Sequence, residues 1–110
     1  MKSIVIAGNI GADAVIRTTP NGDKVTGWRV AVEDRSGKDK KTLWFECSLW
    51  GARGEALAQY LVKGGKVVVS GDLFTREHEG KTYLSIRADS VRLMGSKPRE
   101  ESGYSGRRAE

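Results

Sequence analysis

Two tryptophans, Trp44 and Trp50, are separated by an even number of positions in the stretch TLWFECSLWG at residues 42–51. The stretch predicts a β-strand, whose side chains alternate between two faces, so both indoles would share one face with Glu46 and Ser48. The other face is apolar and consists of Leu43, Phe45, Cys47 and Leu49. Indoles on the solvent side of a strand either stack on unpaired nucleic-acid bases or pack beneath a loop or in a subunit interface.

A second group of ring-bearing side chains lies in the stretch at residues 66–78. Alternation along a strand would place Phe74, Arg76 and His78 on one side of it. An arginine between two rings suits stacking on bases combined with attraction to phosphate. Phe74 could equally pack at a barrel edge or in a subunit contact, and His78, next to a turn, could be exposed without a role. The candidate stacking residues are therefore Trp44, Trp50, Phe74 and His78.

The charge balance of the chain is basic. Its 110 residues carry a formal net charge of +5, with a pI near 9.6, and such a balance favours polyanionic partners. The candidate phosphate-binding residues are Arg29, Lys38, Lys40, Lys41, Arg53, Lys63, Arg76 and Arg87.

Residues that could support catalysis are scarce. One histidine and one cysteine are too few for the usual zinc sites, and the sequence has no nucleophile elbow, Walker loop or dinucleotide-binding fingerprint. We therefore expect no enzymatic activity, no metal and no cofactor.

Cys47 cannot form a disulfide within the chain, which favours a cytoplasmic location. No apolar run approaches membrane-spanning length, and the N-terminus resembles a first strand more than a signal peptide.

Hydrophobic alternation and turn signals predict the elements that would position these residues. In chain order they are strands at residues 2–7, 24–34 and 42–51, a helix at 53–61, and strands at 66–78 and 81–93. Residues 15–18 would continue the first strand after a glycine-marked bend, and residues 35–41 would form a charged loop. Trp28 shares its strand face with Val30 and Val32, so we predict that it lies in the core.

Five strands with one short helix between the third and fourth predict an all-β oligonucleotide/oligosaccharide-binding (OB) barrel. In that fold ligands lie across the face of strands two and three. The barrel would occupy residues 1–95 as a single domain. Residues 96–110 are rich in Gly, Ser, Glu and Arg, and we predict that they form a disordered tail.

Many residues between Ile4 and Met94 match, in their order and spacing, the sequence pattern of one known protein family. They are Gly8, Asn9, Ile10, Gly11, Asp13, Arg17, Thr19, Pro20, Asn21, Gly22, Leu43, Trp44, Trp50, Gly51, Leu57, Ala58, Tyr60, Leu61, Val62, Lys63, Gly64, Val67, Val69, Gly71, Leu73, Thr75, Arg76 and Tyr83. In these residues the chain resembles the bacterial single-stranded DNA-binding protein family.

The resemblance implies an OB barrel that assembles into a homotetramer, or at least a dimer, and wraps single-stranded DNA without sequence preference. It implies a cytoplasmic, nucleoid-associated role in DNA replication, recombination or repair. Trp44 matches a stacking tryptophan of the family, Trp50 stands where the family has a stacking aromatic, and His78 stands where a third stacking tryptophan often lies. Three departures would lower affinity: His78 would stack more weakly than a tryptophan, Ser36 replaces a further tryptophan in the loop, and Glu46 occupies a position that is often basic.

The chain ends in YSGRRAE, without the acidic, hydrophobic-tipped end through which the family recruits replication and repair enzymes. We therefore expect no recruitment of that kind. One alternative function is that of a primosome-type OB-fold replication accessory protein, which mainly docks other proteins. Another is a pure interaction module whose tryptophans are buried between subunits. RNA binding also stays open, because stacking alone does not distinguish the two sugars.

Overall fold

The computed structural model describes residues 2–94, so the predicted tail at residues 96–110 lies outside the described part of the chain. The elements are β1 (Ser3–Ile10), β2 (Val15–Thr18), β3 (Lys24–Ser36), β4 (Asp39–Trp50), α1 (Ala52–Ala58), β5 (Lys66–His78) and β6 (Lys81–Leu93). The strands are hydrogen-bonded in the order β1-β5-β6-β4-β3, and a pairing of β1 with β3 closes the barrel. All of these pairings are antiparallel except that of β4 with β6. The predicted five-stranded barrel with one short helix is thus confirmed.

The short strand β2 is not a sixth strand of the barrel wall. It pairs with β3, the same strand with which the end of β1 pairs. β1 pairs with β3 at Ala31 and Val30, and β2 pairs with β3 further along, from Gly27 to Lys24. Between them the chain bends at Gly11, whose N–H donates to the carbonyl oxygen of Arg29 at 2.9 Å. The predicted continuation of the first strand after a bend is confirmed, and the bend turns the chain around the barrel corner.

The barrel interior is filled by the apolar side chains of the alternating strand faces. Trp28 is 4% exposed and Val30 is fully buried, which confirms the predicted core position of Trp28. The inward face of β4 has the predicted residues Phe45, Cys47 and Leu49, all buried. The remaining buried apolar residues are Ile6, Ile10, Leu61, Val67, Val69, Ile86 and Ala88. The opposite face of β4 is thereby directed away from the core.

Strand β5 changes register against β6 between Ser70 and Gly71, where the ladder has a bulge. A side chain at Gly71 would collide with the carbonyl oxygen of Arg87 on the neighbouring strand. Glycine at this position therefore allows the two backbones to approach closely where the strand turns. Beyond the bulge, β5 carries Phe74, Arg76 and His78 out to the end of the β5–β6 hairpin.

Three predicted boundaries were wrong. Strand β1 continues to Ile10 instead of ending at residue 7, because Gly8 and Asn9 stay paired with β5. Residues 35–41 are mostly strand rather than loop, because the β3–β4 ladder continues through Arg35↔Lys40 to Ser36↔Asp39 and leaves a two-residue turn. The turn contains Gly37, whose φ of 62° is in the left-handed region that favours glycine. The helix ends at Ala58 rather than at residue 61, since the chain turns there and directs Leu61 into the core.

Candidate nucleic-acid interface

The outward sides of β3, β4, β6 and β5 form one continuous surface, which we call the aromatic–arginine face. Cross-strand register places Arg29 opposite Glu46, Glu46 beside Ser85, and Ser85 opposite Phe74. The face consists of Arg29, Trp44, Glu46, Ser48, Trp50, Phe74, Arg76, Tyr83, Ser85 and Arg87. Arg29, Glu46 and Ser48 alternate along their strands with buried residues, so the barrel core supports the backbone beneath the middle of the face.

Both predicted stacking tryptophans lie on this face. The side chain of Trp44 is 44% exposed and that of Trp50 is 42% exposed, whereas the third tryptophan, Trp28, is buried. The prediction that the two indoles share the outer side of one strand is confirmed. Each indole therefore presents part of its ring to solvent in the single chain.

Three guanidinium groups of the face each lie over an aromatic ring. Arg29 lies 4.8 Å from the ring centroid of Trp44, and Arg87 lies 5.6 Å from that of Trp50. Arg76 lies 4.9 Å from the ring centroid of Tyr83. Attraction between a cation and the face of a ring favours these positions. The surface therefore alternates flat apolar rings with fixed positive charges, which is the chemistry that nucleobases joined by phosphates require.

Arg76 has a second partner on the face. Its Nη2 donates a hydrogen bond to Oε1 of Glu46 at 2.7 Å. The hydrogen bond to Glu46 and the charge of that carboxylate raise the pKa of Arg76, so the guanidinium stays charged. Arg76 was a candidate phosphate ligand from the sequence, but its pairing with Glu46 was not foreseen.

Phe74 joins the two tryptophans on the face, and its ring is 43% exposed. The register pairs it with Ser85 of β6, and Ser85 lies beside Glu46 of β4. Ser85 is 5% exposed, although alternation placed it on the solvent side. A small side chain in register between two larger neighbours is covered by them, which explains the difference.

His78 lies apart from this group, at the end of the β5–β6 hairpin. The register pairs it with Lys81, and its Nε2 is 3.7 Å from Oε2 of Glu79. Because β4 and β6 run parallel, the turn that precedes β6 projects from the same end of the barrel as the turn that precedes β4. His78 therefore lies at the same end of the face as Lys38, Lys40 and Lys41.

The predicted phosphate-binding residues fall into four places. Arg29, Arg76 and Arg87 lie on the face itself, over the rings described above. Lys38 lies in the β3–β4 turn, and Lys40 and Lys41 begin β4, where Nζ of Lys40 is 3.6 Å from Oε2 of Glu33. Arg53 belongs to α1 and Lys63 to the loop after it, so neither is on the sheet.

Arg53 and Arg87 border a groove next to Trp50. The groove has a volume of about 380 Å³ and is lined by Leu49, Trp50, Arg53, Arg87, Ala88 and Asp89. Nη2 of Arg53 donates to the carbonyl oxygen of Asp89 at 3.0 Å, which fixes its guanidinium at the rim. Two arginines beside one indole extend the combination of ring and positive charge to this end of β4.

Two functional candidates were missed by the sequence reasoning. Tyr83 provides the ring under Arg76, and the two-residue hairpin at Glu79-Gly80 fixes that pairing, so the hairpin register could have revealed it. Arg17 is the other: β2 pairs it with Val25, which in turn pairs with Trp50. It adds a positive charge beside the Trp50 end, and no local sequence signal indicates it.

The described part of the chain shows no sign of a metal site or a membrane-spanning helix. Within residues 2–94 no group of three His, Cys, Asp or Glu side chains lies close enough together to hold a metal ion. No helix in this range is long and apolar enough to cross a membrane. Burial raises the pKa of the Cys47 thiol to about 12, so the thiol is protonated and unreactive at neutral pH.

Comparisons with known proteins agree with this geometry. The chain is 34% identical to a single-stranded DNA-binding protein of Treponema pallidum, over 87% of this chain and 59% of that protein. It is 35% identical to one of Mycobacterium tuberculosis, over 81% of this chain and 62% of that protein. The chain thus spans less than two thirds of the length of these relatives.

The fold has a close match among solved structures. The crystal structure of a small single-stranded DNA-binding protein from Streptomyces coelicolor superposes with a TM-score of 0.71 at 26% identity, covering 84% of this chain and 91% of that one. The model of the single-strand binding protein family matches residues 1–94, which include every strand of the barrel and the whole aromatic–arginine face. The chain belongs to the single-strand binding protein family.

Proposed function

We propose that this protein binds single-stranded DNA without sequence preference, has no catalytic activity, and protects the strand during replication, recombination or repair. The observation that carries the proposal is the aromatic–arginine face, on which three guanidinium groups lie over three rings. The relatives named single-stranded DNA-binding proteins support the same ligand. They also disfavour the primosome-type alternative.

Trp44, Trp50 and Phe74 would stack on bases, with His78 a weaker contributor at the hairpin end. Trp44 and Trp50 are about 20 Å apart along β4 at the usual rise per residue, so they would engage different bases. Phosphates would be bound by Arg29, Lys38, Lys40, Lys41, Arg53, Lys63, Arg76 and Arg87. The strand would run from the two hairpins, across the face, to the groove beside Trp50.

We also propose that the protein acts as a homo-oligomer, a tetramer or at least a dimer, in the cytoplasm at the nucleoid. Strand β1 supports this, since it pairs with β3 only at Asn9 and Ile10. Among residues 2–94, the rest of β1 has no strand on that side, so an unpaired edge is available to a second copy. Val5, in the middle of this edge, is 69% exposed, and its burial in an interface would remove apolar surface from water.

A titration with oligothymidine, followed by tryptophan fluorescence at two salt concentrations, tests the ligand. We expect quenching at low salt and weaker binding at high salt, because neutralised phosphates release counterions. Trp44→Ala and Trp50→Ala should each cost about 1–3 kcal/mol of binding free energy, the range for one stacked base.

The double variant with Trp44→Ala and Trp50→Ala is the matched control, because its remaining Trp28 is buried and should not be quenched. Unchanged fluorescence of the original protein at low salt would contradict the stacking claim. Iodide quenching of the free oligomer distinguishes the interaction-module alternative, in which indoles between subunits would be shielded. A parallel titration with oligouridine measures any preference between DNA and RNA.

A further inference from the structure

A carboxylate lies in the middle of the aromatic–arginine face. Glu46 is on β4 between Trp44 and Trp50, and the register places it opposite Arg29 on β3. Its Oε1 accepts the 2.7 Å hydrogen bond from Nη2 of Arg76, which reaches across from β5. The Glu46 side chain is 37% exposed, so it is neither buried nor remote from a strand that would cross the face. A negative charge at this place opposes the binding of a polyanion, and its presence requires an explanation.

We propose that Glu46 is an intramolecular competitor of the DNA phosphate, which holds Arg76 in the free protein and is displaced when the strand binds. The proposal rests on the single-stranded DNA binding proposed above and concerns how that binding is weakened. Carboxylate and phosphate oxygens are the same kind of acceptor for a guanidinium, so one can replace the other. Arg76 is half exposed and lies against the ring of Tyr83, so it can exchange acceptors with its guanidinium still over that ring.

The exchange has a measurable electrostatic consequence. While Glu46 is present, the pair of Glu46 and Arg76 is neutral, and Arg76 attracts no additional phosphate in the free protein. When Arg76 leaves Glu46 for a phosphate, the carboxylate stays on the face and repels the strand. Replacing Glu46 by glutamine would therefore give the face one more net positive charge. That extra charge is equivalent to one more neutralised phosphate. Each neutralised phosphate on a single strand steepens the decline of log affinity with log salt by about 0.7.

The test compares Glu46→Gln, Arg76→Gln and the double variant by anisotropy of labelled oligothymidine and oligocytidine over a series of salt concentrations. For Glu46→Gln we expect a slope steeper by about 0.7 and, near 0.1 M salt, an affinity about five-fold higher on both oligonucleotides. In the double variant both gains relative to the original protein should disappear, because Arg76 is the group that Glu46 holds. Arg76→Gln alone should bind more weakly than the original protein.

Two controls separate this mechanism from others. Glu77→Gln removes a charge from the same strand as Arg76 but from the opposite side of the hairpin, and it should leave the slope unchanged. Glu46→Ser, which matches Ser48 on the same strand, repeats the test with a smaller side chain should the glutamine variant fold poorly.

An unchanged slope for Glu46→Gln, or a gain that persists in the double variant, would overturn the inference while the proposed function stands. A loss of affinity for oligocytidine alone would also overturn it, and would indicate that the carboxylate accepts a hydrogen bond from the amino group of the base. Failure of the original protein and every variant to bind either oligonucleotide would overturn the proposed function together with the inference.

Discussion

The guanidinium group of Arg29 lies on the indole of Trp44, 4.8 Å from the ring centroid, across a diagonal of two antiparallel strands. The backbone carbonyl of Arg29 also accepts the N–H of Gly11 at 2.9 Å, and the edge of the Trp44 ring lies against Gly11. Arg29 and Gly11 thus hold the indole from two neighbouring parts of the barrel. A ring that is already oriented in the free protein loses less conformational entropy when a base stacks on it.

Arg29→Ala should weaken binding of single-stranded DNA by about three- to ten-fold at low salt. The substitution removes a cation–π contact worth about 0.5–1 kcal/mol together with the phosphate contact that we propose for Arg29. Anisotropy titrations with labelled oligothymidine measure the change. Arg35→Ala is the matched control. Arg35 is on the same strand, but its guanidinium donates a hydrogen bond to Glu33, whereas that of Arg29 lies over the Trp44 ring. Equal losses for the two variants would mean that net charge alone, and not the stack, determines affinity.

Gly11→Ala should lower DNA affinity while leaving the free energy of unfolding nearly unchanged. A Cβ at this position would lie 2.5 Å from Cζ3 of Trp44, so the indole must move. Because Trp44 is nearly half exposed, its ring can move outward without disturbing the core. The loss should not exceed the roughly 1–3 kcal/mol of one stacked base.

Urea unfolding and the oligothymidine titration, measured on the same preparation, check both parts of the Gly11 prediction. Gly27→Ala is the control, since its Cβ would have only an ordinary contact with the Cys47 carbonyl oxygen at 3.7 Å. A Gly11→Ala variant with the original DNA affinity would show that the position of the Trp44 ring does not matter for binding.

The features that the sequence predicted correctly depend on a single strand at a time. Trp28 is inside and Trp44 and Trp50 are outside because the two-residue period of a strand decides each side locally. The charged composition of residues 35–41 indicated a loop, yet cross-strand pairs such as Arg35↔Lys40 continue the ladder there. Backbone pairing in that hairpin outweighs the low strand propensity of its lysines and aspartates.

The features that were missed depend on strands that are distant along the chain. Glu46 and Arg76 are 30 positions apart, and only the closed order of β4, β6 and β5 brings them together. Arg17 reaches the Trp50 end only through the pairing of β2 with β3. Neither relationship has a local signal, because a barrel's register follows from packing of the whole sheet and not from any one segment.

Val5→Arg should lower the mass of the protein measured by light scattering, if the β1 edge is the interface that we propose. Val5 is highly exposed in the single chain, and two arginines facing each other across a symmetric contact would repel. The variant should still fold, since the side chain does not enter the core. Val62→Arg is the control, because Val62 is an exposed apolar residue in the loop after α1 and its substitution should not change the mass. An unchanged mass for Val5→Arg would place the interface elsewhere.

The buried thiol of Cys47 should make the protein less stable in alkaline solution. Desolvation raises the pKa of this thiol from its ordinary value of 9.0 to about 12. Below pH 9 the thiol is protonated in both the folded and the unfolded chain, so its full contribution to stability is present. As the pH rises above 9 the unfolded thiol ionises while the folded one does not, and the contribution is lost progressively up to about pH 12. One pH unit above 9.0 corresponds to a loss of about 1.4 kcal/mol.

Urea unfolding near pH 8 and near pH 10 measures this loss, with Cys47→Ala as the reference. The variant lacks the thiol, so its unfolding free energy should fall by about 1.4 kcal/mol less between the two pH values than that of the original protein. Its lower stability at both values, caused by the smaller side chain in the core, cancels from this difference. All other ionisable groups are the same in both proteins, so their effect cancels as well. If the two proteins lose the same free energy, the thiol of Cys47 ionises as readily in the folded barrel as in the unfolded chain, and the interior around Ile86 and Trp28 is accessible to water.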